Sequence, residues 1–120
     1  MPSSKIRSKG KGFLPQRRER RKIVVYARVT SIRFPPSMRE EVARVGRGLA
    51  LVLRDQRGFN GLRLLTEPGM SEGLIVSFWE TQADVEASES SPSYVGQMSM
   101  MSSFLYGPLY SKTYEVDVQA

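Results

Sequence analysis

This 120-residue sequence contains neither cysteine nor histidine. Disulfide bonds, zinc sites and histidine-ligated haem are therefore excluded, because the side chains that form them are missing. Catalysis by Ser-His-Asp or Cys-His groups is excluded for the same reason. No stretch approaches the roughly 20 apolar residues that cross a bilayer, and no apolar segment of a secretory signal is present. We therefore expect no metal site and no membrane association, with the cytoplasm as the default location.

The net charge of +6 is distributed unevenly along the chain. Residues 1–22 contain nine Lys or Arg and one acid, whereas residues 23–120 contain nine bases and eleven acids. We predict a disordered basic leader at 1–22 and a single folded domain at 23–120. The leader is interpreted as an electrostatic arm for nucleic acid or anionic lipid, as a dispensable tail, or as the product of a start codon placed too far upstream. Nucleic acid is not an expected partner of the domain, because the domain itself is slightly acidic.

The first half of the domain has the pattern of a strand followed by a helix. Residues 23–34 are β-branched and aromatic, and Pro35-Pro36 ends the run. Ser37-x-x-Glu40 has the form of a capping box, and Gly58 is a natural C-cap. The predicted helix places one apolar stripe towards the core, at spacings of three and four residues: Met38, Val42, Val45, Leu49 and Val52.

The second half predicts three strands and two helices. Strands are expected at 59–66 and 72–81, joined by a turn at Pro68-Gly69. Thr81 and Ser91-Pro92 have the signals of two helix N-termini. Residues 110–118 alternate apolar and polar side chains, which is typical of a last strand.

The element order strand, helix, strand, strand, helix pair, strand is the split βαβ of an α+β, ferredoxin-like fold. This fold has a four-stranded antiparallel sheet with helices on one face. The other face is expected to carry Val76 and Phe78. A soluble monomer rarely exposes such a surface, so we predict a homodimer in which a second sheet covers it.

Four segments carry a resemblance to a known family: YARVTSIRFPPSMREEV, RGFNGLRLL, LIVSFWETQADVEASESS and YEVDVQ. Together they resemble the antibiotic biosynthesis monooxygenase domain of the dimeric α+β barrel superfamily, from about Val25 to Gln119. The most specific pieces are Gly58-Phe59-x-Gly61 and Trp79-Glu80-Thr81. The resemblance implies a homodimer with facing sheets and one pocket per subunit between sheet and helices.

Two branches of that family make different demands on the residues. The haem-degrading branch uses a Trp on the third strand, which Trp79 matches, an Asn that falls on Ala27, and a His that is absent. Haem degradation is therefore disfavoured. The quinone-forming branch uses no metal, flavin or other cofactor and binds an acidic phenol whose anion reacts with oxygen.

Such chemistry needs a dry apolar pocket and a donor for the developing oxyanion. The resemblance makes Trp79 and Asn60 the candidate catalytic residues. The candidate ligand-binding residues are Trp79, Ala27, Ser77, Tyr94, Met98, Met101, Phe104 and Tyr106. The implied function is that of a monooxygenase-like protein for a small aromatic or apolar, oxidisable compound, and the alternative is a non-catalytic binding or dimerisation module.

Structural roles compete with these assignments. Trp79 is equally interpreted as a core aromatic, the methionines as plain core, and Asn60 as turn chemistry. Arg28 is another candidate donor, although an ion pair with Glu115 or Asp117 is the more ordinary role for it. Two further acids, Glu86 and Glu89, are expected to be solvated.

Overall fold

The computed structural model describes residues 25–120, so the predicted leader at 1–22 and the first residues of the predicted domain lie outside it. A single 3-10 turn, Pro36–Met38, precedes the first helix. In chain order the strands and α-helices are β1 (Val25–Arg33), α1 (Arg39–Leu53), β2 (Phe59–Thr66), β3 (Glu72–Trp79), α2 (Gln82–Glu89), α3 (Pro92–Ser102) and β4 (Tyr110–Val116).

The four strands form one antiparallel sheet in the order β2-β3-β1-β4. This order and the helices packed on one side confirm the predicted α+β, ferredoxin-like fold. The register places Arg28 of β1 opposite Ser77 of β3 and opposite Thr113 of β4. Because paired residues share a sheet face, Arg28 and Ser77 lie on the same side as Trp79.

The core lies between the sheet and the helices. Three positions of the predicted stripe on α1, namely Val42, Val45 and Leu49, are fully buried, while Met38 and Val52 are partly buried against the core. The complete set of buried apolar residues in this cluster is Ile32, Phe34, Val42, Val45, Leu49, Leu53, Ile75, Trp79, Val85, Met98 and Met101.

Two of the three predicted helix N-caps are present in the structure. The predicted caps of α2 and α3 are confirmed, since the Thr81 hydroxyl accepts the Asp84 N–H and the Ser91 hydroxyl accepts the Tyr94 N–H. The predicted capping box of Ser37 is wrong, because no side chain caps α1. The preceding 3-10 turn replaces it: the Met38 N–H donates to the carbonyl of Pro35 at 2.8 Å, so backbone leads directly into the helix.

Gly58 also has a different role from the predicted C-cap. Helix α1 ends at Leu53, and Gly58 lies in the turn before β2 with a φ of 76°. A Cβ at this position would lie 2.0 Å from the Asp84 carboxylate. The position therefore requires glycine for its backbone conformation and for the close approach of α2.

The sheet face turned away from the helices carries the predicted apolar side chains on its central strands, with the charged Arg63 and Lys112 beside them on the outer strands. Val76 and Phe78 are half-buried there, and Leu65, Leu74 and Tyr114 are exposed. By the strand register, Ala27 lies on this face, opposite Phe78 and Tyr114. We call this surface the open face.

Candidate functional site

A buried arginine lies at the centre of the space between the sheet and the helices. Arg28 is 3% exposed, and its Nη1 donates to the Val85 carbonyl at 3.3 Å and to the Ser88 hydroxyl at 2.9 Å. The Glu89 carboxylate lies 3.5 Å from the same nitrogen. Within the described residues, helix α2 therefore supplies every polar partner of the Arg28 side chain.

This geometry corrects two sequence expectations. The partner of Arg28 is Glu89, not Glu115 or Asp117, because the side chain points towards the helices and meets the end of α2. Glu89, expected to be solvated, is about half exposed and is paired with this cation.

The guanidinium of Arg28 lies over two aromatic rings. The Arg28 Cζ lies 4.5 Å from the centre of the Tyr94 ring and 5.4 Å from that of Trp79. The Phe59 ring contacts Trp79 edge-on, with the ring centres 5.3 Å apart. Cation–π contacts of this kind stabilise a desolvated cation by about 1–2 kcal/mol. Arg28 is thus held by aromatic surface as well as by hydrogen bonds.

Trp79 is completely buried, and its indole N–H is already used. The Nε1 of Trp79 donates to the Ser77 hydroxyl at 2.9 Å. In this arrangement the indole has no free donor for a ligand oxygen. Its position fits the core-aromatic interpretation and makes Trp79 the floor of the site.

A groove of about 370 Å³ runs between α3 and β4, beside this cluster. Its walls are mostly apolar, with hydroxyl groups at intervals. Tyr94 belongs to both regions, because it lines the groove and also covers Arg28. The lining residues are Tyr94, Val95, Met98, Ser99, Ser102, Leu109 and Ser111.

Burial raises the pKa of the Tyr94 phenol above its usual value of 10.0. The positive charge of Arg28 lowers this pKa and the carboxylate of Glu89 raises it, but desolvation has the largest effect. Tyr94 is consequently protonated at neutral pH. In this protonated form its hydroxyl can donate a hydrogen bond.

The structure brings together some of the predicted site residues. Tyr94 and Met98 line the groove, and Trp79 and Ser77 lie beneath Arg28 on the same sheet face. Met101 is fully buried in the hydrophobic core.

Other predicted site residues lie elsewhere. Phe104 packs on the edge of the core. Ala27 is on the open face, because alternation puts it on the opposite side of β1 from Arg28. Asn60 is exposed near the start of β2. Tyr106 is exposed beside Arg33, whose carbonyl accepts the Tyr106 N–H at 2.7 Å.

The sequence suggested Arg28 only as a further candidate donor, and most of the groove residues were missed. The first half of β1 is apolar on both faces, so alternation gave no reason to place Arg28 inside. The available signal was alternation with the second half of the strand: Arg28 lies two and four residues before Thr30 and Ile32, so it shares their strand face, which is buried. The groove depends on how α3 and β4 approach each other, and no local pattern encodes that approach. The missed lining residues are Val95, Ser99, Ser102, Leu109 and Ser111.

The described residues offer little to a metal ion. Within residues 25–120, no three acidic, cysteine or histidine side chains are grouped as potential metal ligands. Over the same range, no helix is long and apolar enough to cross a membrane. The groups available for chemistry are therefore hydroxyls, a buried guanidinium and aromatic surface.

The fold and site together define a ferredoxin-like domain with a candidate ligand groove on the helix side of its sheet. Residues 25–96 match the family model described as antibiotic biosynthesis monooxygenase. This match covers more than half of the sequence. The chain belongs to that family, as the resemblance in its motifs predicted.

Solved structures agree with the fold at low sequence identity. A proposed antibiotic biosynthesis monooxygenase from Nitrosomonas europaea is similar with a TM-score of 0.69 and 12% identity, over 78% of this chain and 90% of that one. One from Bordetella bronchiseptica gives 0.68 and 14%, over 78% and 98%. A protein from Mycobacterium tuberculosis gives 0.68 and 14%, over 80% and 98%. No curated protein matches the sequence.

Proposed function

We propose that this protein is a monooxygenase-like protein that binds a small aromatic, oxidisable compound in the groove between α3 and β4. The observation that carries the proposal is the position of Tyr94. This one side chain lines an apolar groove and lies against a buried cation. An aromatic ring fits the walls formed by Met98 and Leu109, while a ring oxygen can accept a hydrogen bond from Tyr94.

The proposed chemistry needs only substrate and oxygen. An acidic phenol with an activated ring methylene loses a proton to water, and the resulting anion transfers an electron to O₂. The radical pair joins as a peroxide anion, which takes a proton back from the solvent and then loses water, so that CH₂ and O₂ become C=O and H₂O. Tyr94 would donate a hydrogen bond to the anionic ring oxygen, and the charge of Arg28 behind the ring would stabilise the same anion.

Oxygen uptake with anthrone and hydroquinone substrates tests this function. We expect Tyr94→Phe, which keeps the ring and removes the donor, to lower kcat/KM by about 10-fold or more. Tyr106→Phe is the matched control, because Tyr106 is exposed and does not line the groove, and it should leave the rate unchanged. Turnover that is equal in Tyr94→Phe and the parent protein, or absent across the substrate panel, contradicts the proposal.

A non-catalytic binding role is the second candidate, and the state of Trp79 favours it. The only indole of the chain is fully buried and its N–H is satisfied by Ser77, so it offers no donor to a reaction. This role predicts that aromatic compounds raise the melting temperature while oxygen uptake stays at the buffer rate. Product formation with any stabilising compound would argue against it.

A homodimer formed through the open face is part of the proposal. It is supported by the exposure of Leu65, Leu74 and Tyr114 around the half-buried Val76 and Phe78. We expect sedimentation analysis to give a dimer at micromolar concentration and Phe78→Asp to give a folded monomer. A folded monomer of the parent protein would contradict this part. A cytoplasmic location and a disordered leader stay predictions from the sequence.

A further inference from the structure

Arg28 makes fewer hydrogen bonds than its burial requires. A guanidinium carries five N–H donors, two of them on Nη1. Both hydrogen bonds of Arg28, to Val85 and Ser88, come from Nη1, and Glu89 approaches that nitrogen too. In the part of the chain that the structure describes, the three donors on Nε and Nη2 therefore have no acceptor.

Unmet donors on a buried charge are unfavourable, and folded proteins normally satisfy them with protein groups, water or a ligand. In the described residues, neither strand neighbour opposite Arg28, Ser77 or Thr113, accepts a hydrogen bond from its side chain. The Ser77 hydroxyl, opposite Arg28 in the register, accepts the Trp79 N–H. The charge itself is only partly balanced, because Glu89 is half exposed and is 3.5 Å away.

One side chain lies against both the guanidinium and the groove. The half-buried Tyr94 covers the guanidinium with its ring and forms part of the groove wall. Rotation of Tyr94 would open the groove onto Arg28, between the apolar walls and the Trp79 floor. An incoming anionic oxygen would then meet planar, charged donors in a desolvated site, where such hydrogen bonds are strongest.

From this geometry we infer that Arg28 is a ligand-recognition residue that selects aromatic compounds carrying an anionic oxygen, carboxylate or phenolate, over neutral compounds of the same shape. The inference rests on the proposed groove function and specifies its ligand class. It also assigns Glu89 a role, since this carboxylate competes with the ligand for the same cation.

Calorimetry with 2-naphthoate and its neutral counterpart 2-naphthamide tests the selection. We expect the parent protein to bind naphthoate about 10-fold more tightly than naphthamide. Arg28→Met should bring the two dissociation constants close together. Arg28→Lys keeps the charge but loses the planar fork, so it should retain only part of the difference.

A second variant tests the inference even if the substitutions of Arg28 prevent folding. Glu89→Gln removes the competing carboxylate from a half-exposed position, so the fold should tolerate it. It should tighten naphthoate binding about threefold or more and leave naphthamide binding unchanged. Glu86→Gln, on the exposed surface of the same helix, is the matched control and should change either affinity less than about twofold, because solvent screens that charge.

The outcomes separate this inference from the groove function. Equal binding of both compounds to the parent protein would overturn the role of Arg28 while leaving the groove as a ligand site. Selective binding that responds equally to Glu89→Gln and Glu86→Gln would also overturn it, because general charge would then explain the selection. Absence of binding by either compound at millimolar concentration would overturn both the inference and the groove function.

Discussion

The two faces of the sheet differ in the side chains that lie in an unfavourable environment: polar groups are buried on one face, and apolar groups are exposed on the other. The helix side buries polar groups, among them Arg28, Thr30 and Ser77, in a space that apolar residues could fill. The open face exposes apolar groups such as Leu65 and Leu74, which water does not favour. Thr30 and Ser77 are hydrogen-bonded within the fold, to Ser111 and Trp79, so the unmet donors on the helix side are those of Arg28. These donors and the exposed apolar area of the open face each indicate a missing partner. We assign an aromatic anion to the helix side and a second copy of the chain to the open face.

Neighbouring residues of β3 give the largest expected effect in this comparison. Trp79 points into the core and is 0% exposed, whereas Phe78 points to the open face and is half-buried. Trp79→Ala should lower the free energy of unfolding by about 3–5 kcal/mol, because it leaves a large cavity. Phe78→Ala should cost less within one subunit and act mainly on association. Urea denaturation at two protein concentrations measures both effects.

Concentration dependence distinguishes the two variants. Unfolding of a dimer depends on protein concentration, so Phe78→Ala should reduce that dependence and Trp79→Ala should retain it. If both variants retain the full dependence, Phe78 is not at the interface. The open face would then not differ from the helix side in stabilising the dimer.

The fold was predictable because its signals are local. Strand β2 follows from its apolar residues and the Gly58 turn, and the starts of α2 and α3 follow from Thr81 and Ser91, whose hydroxyls bond to the first helical turn. The predicted Ser37 cap of α1 was wrong because a 3-10 turn of the backbone leads into this helix in place of a side-chain cap. The element order then permitted few arrangements of the sheet.

The candidate site was predictable only in part, because it depends on contacts between distant elements. Tyr94 and Met98 were recognised from their helix face, yet the position of Tyr94 against Arg28 joins residues from β1 and α3. Residue type alone suggests Asn60, and this residue is exposed where the pairing of β2 with β3 is irregular, between Phe59 and Leu62.

The turn into β2 gives the second prediction. Gly58→Ala should cost about 3 kcal/mol, because a left-handed residue gains a Cβ and that Cβ overlaps the Asp84 carboxylate. Gly69→Ala is the matched control: its φ is 72°, but nothing lies within 4 Å of the added atom. It should cost only about 1 kcal/mol, the conformational part. Thermal denaturation compares the two, and equal losses would show that α2 does not press on this turn.

The polar floor of the helix side gives a smaller effect. Ser77→Ala removes the acceptor of the buried Trp79 N–H and should cost about 1–3 kcal/mol, because the donor is left without a partner. Ser93→Ala, on the exposed surface of α3, should change stability by less than about 0.5 kcal/mol. Indole fluorescence should respond only to the first variant. An unchanged spectrum would mean that the indole N–H has another acceptor.

The smallest effect concerns the pH dependence of stability at Tyr94. Its pKa is raised in the folded protein, chiefly by burial, so the unfolded chain releases this proton first as the pH rises. The free energy of unfolding should therefore be unaffected by Tyr94 below pH about 10 and should fall above it until the folded phenol also ionises. Tyr94→Phe should show a shallower decline over the same alkaline range. Urea midpoints at pH 8 and above measure this difference. Identical alkaline slopes in the two proteins would show that Tyr94 is solvated, and the groove would then lack the desolvated wall that separates the helix side from the open face.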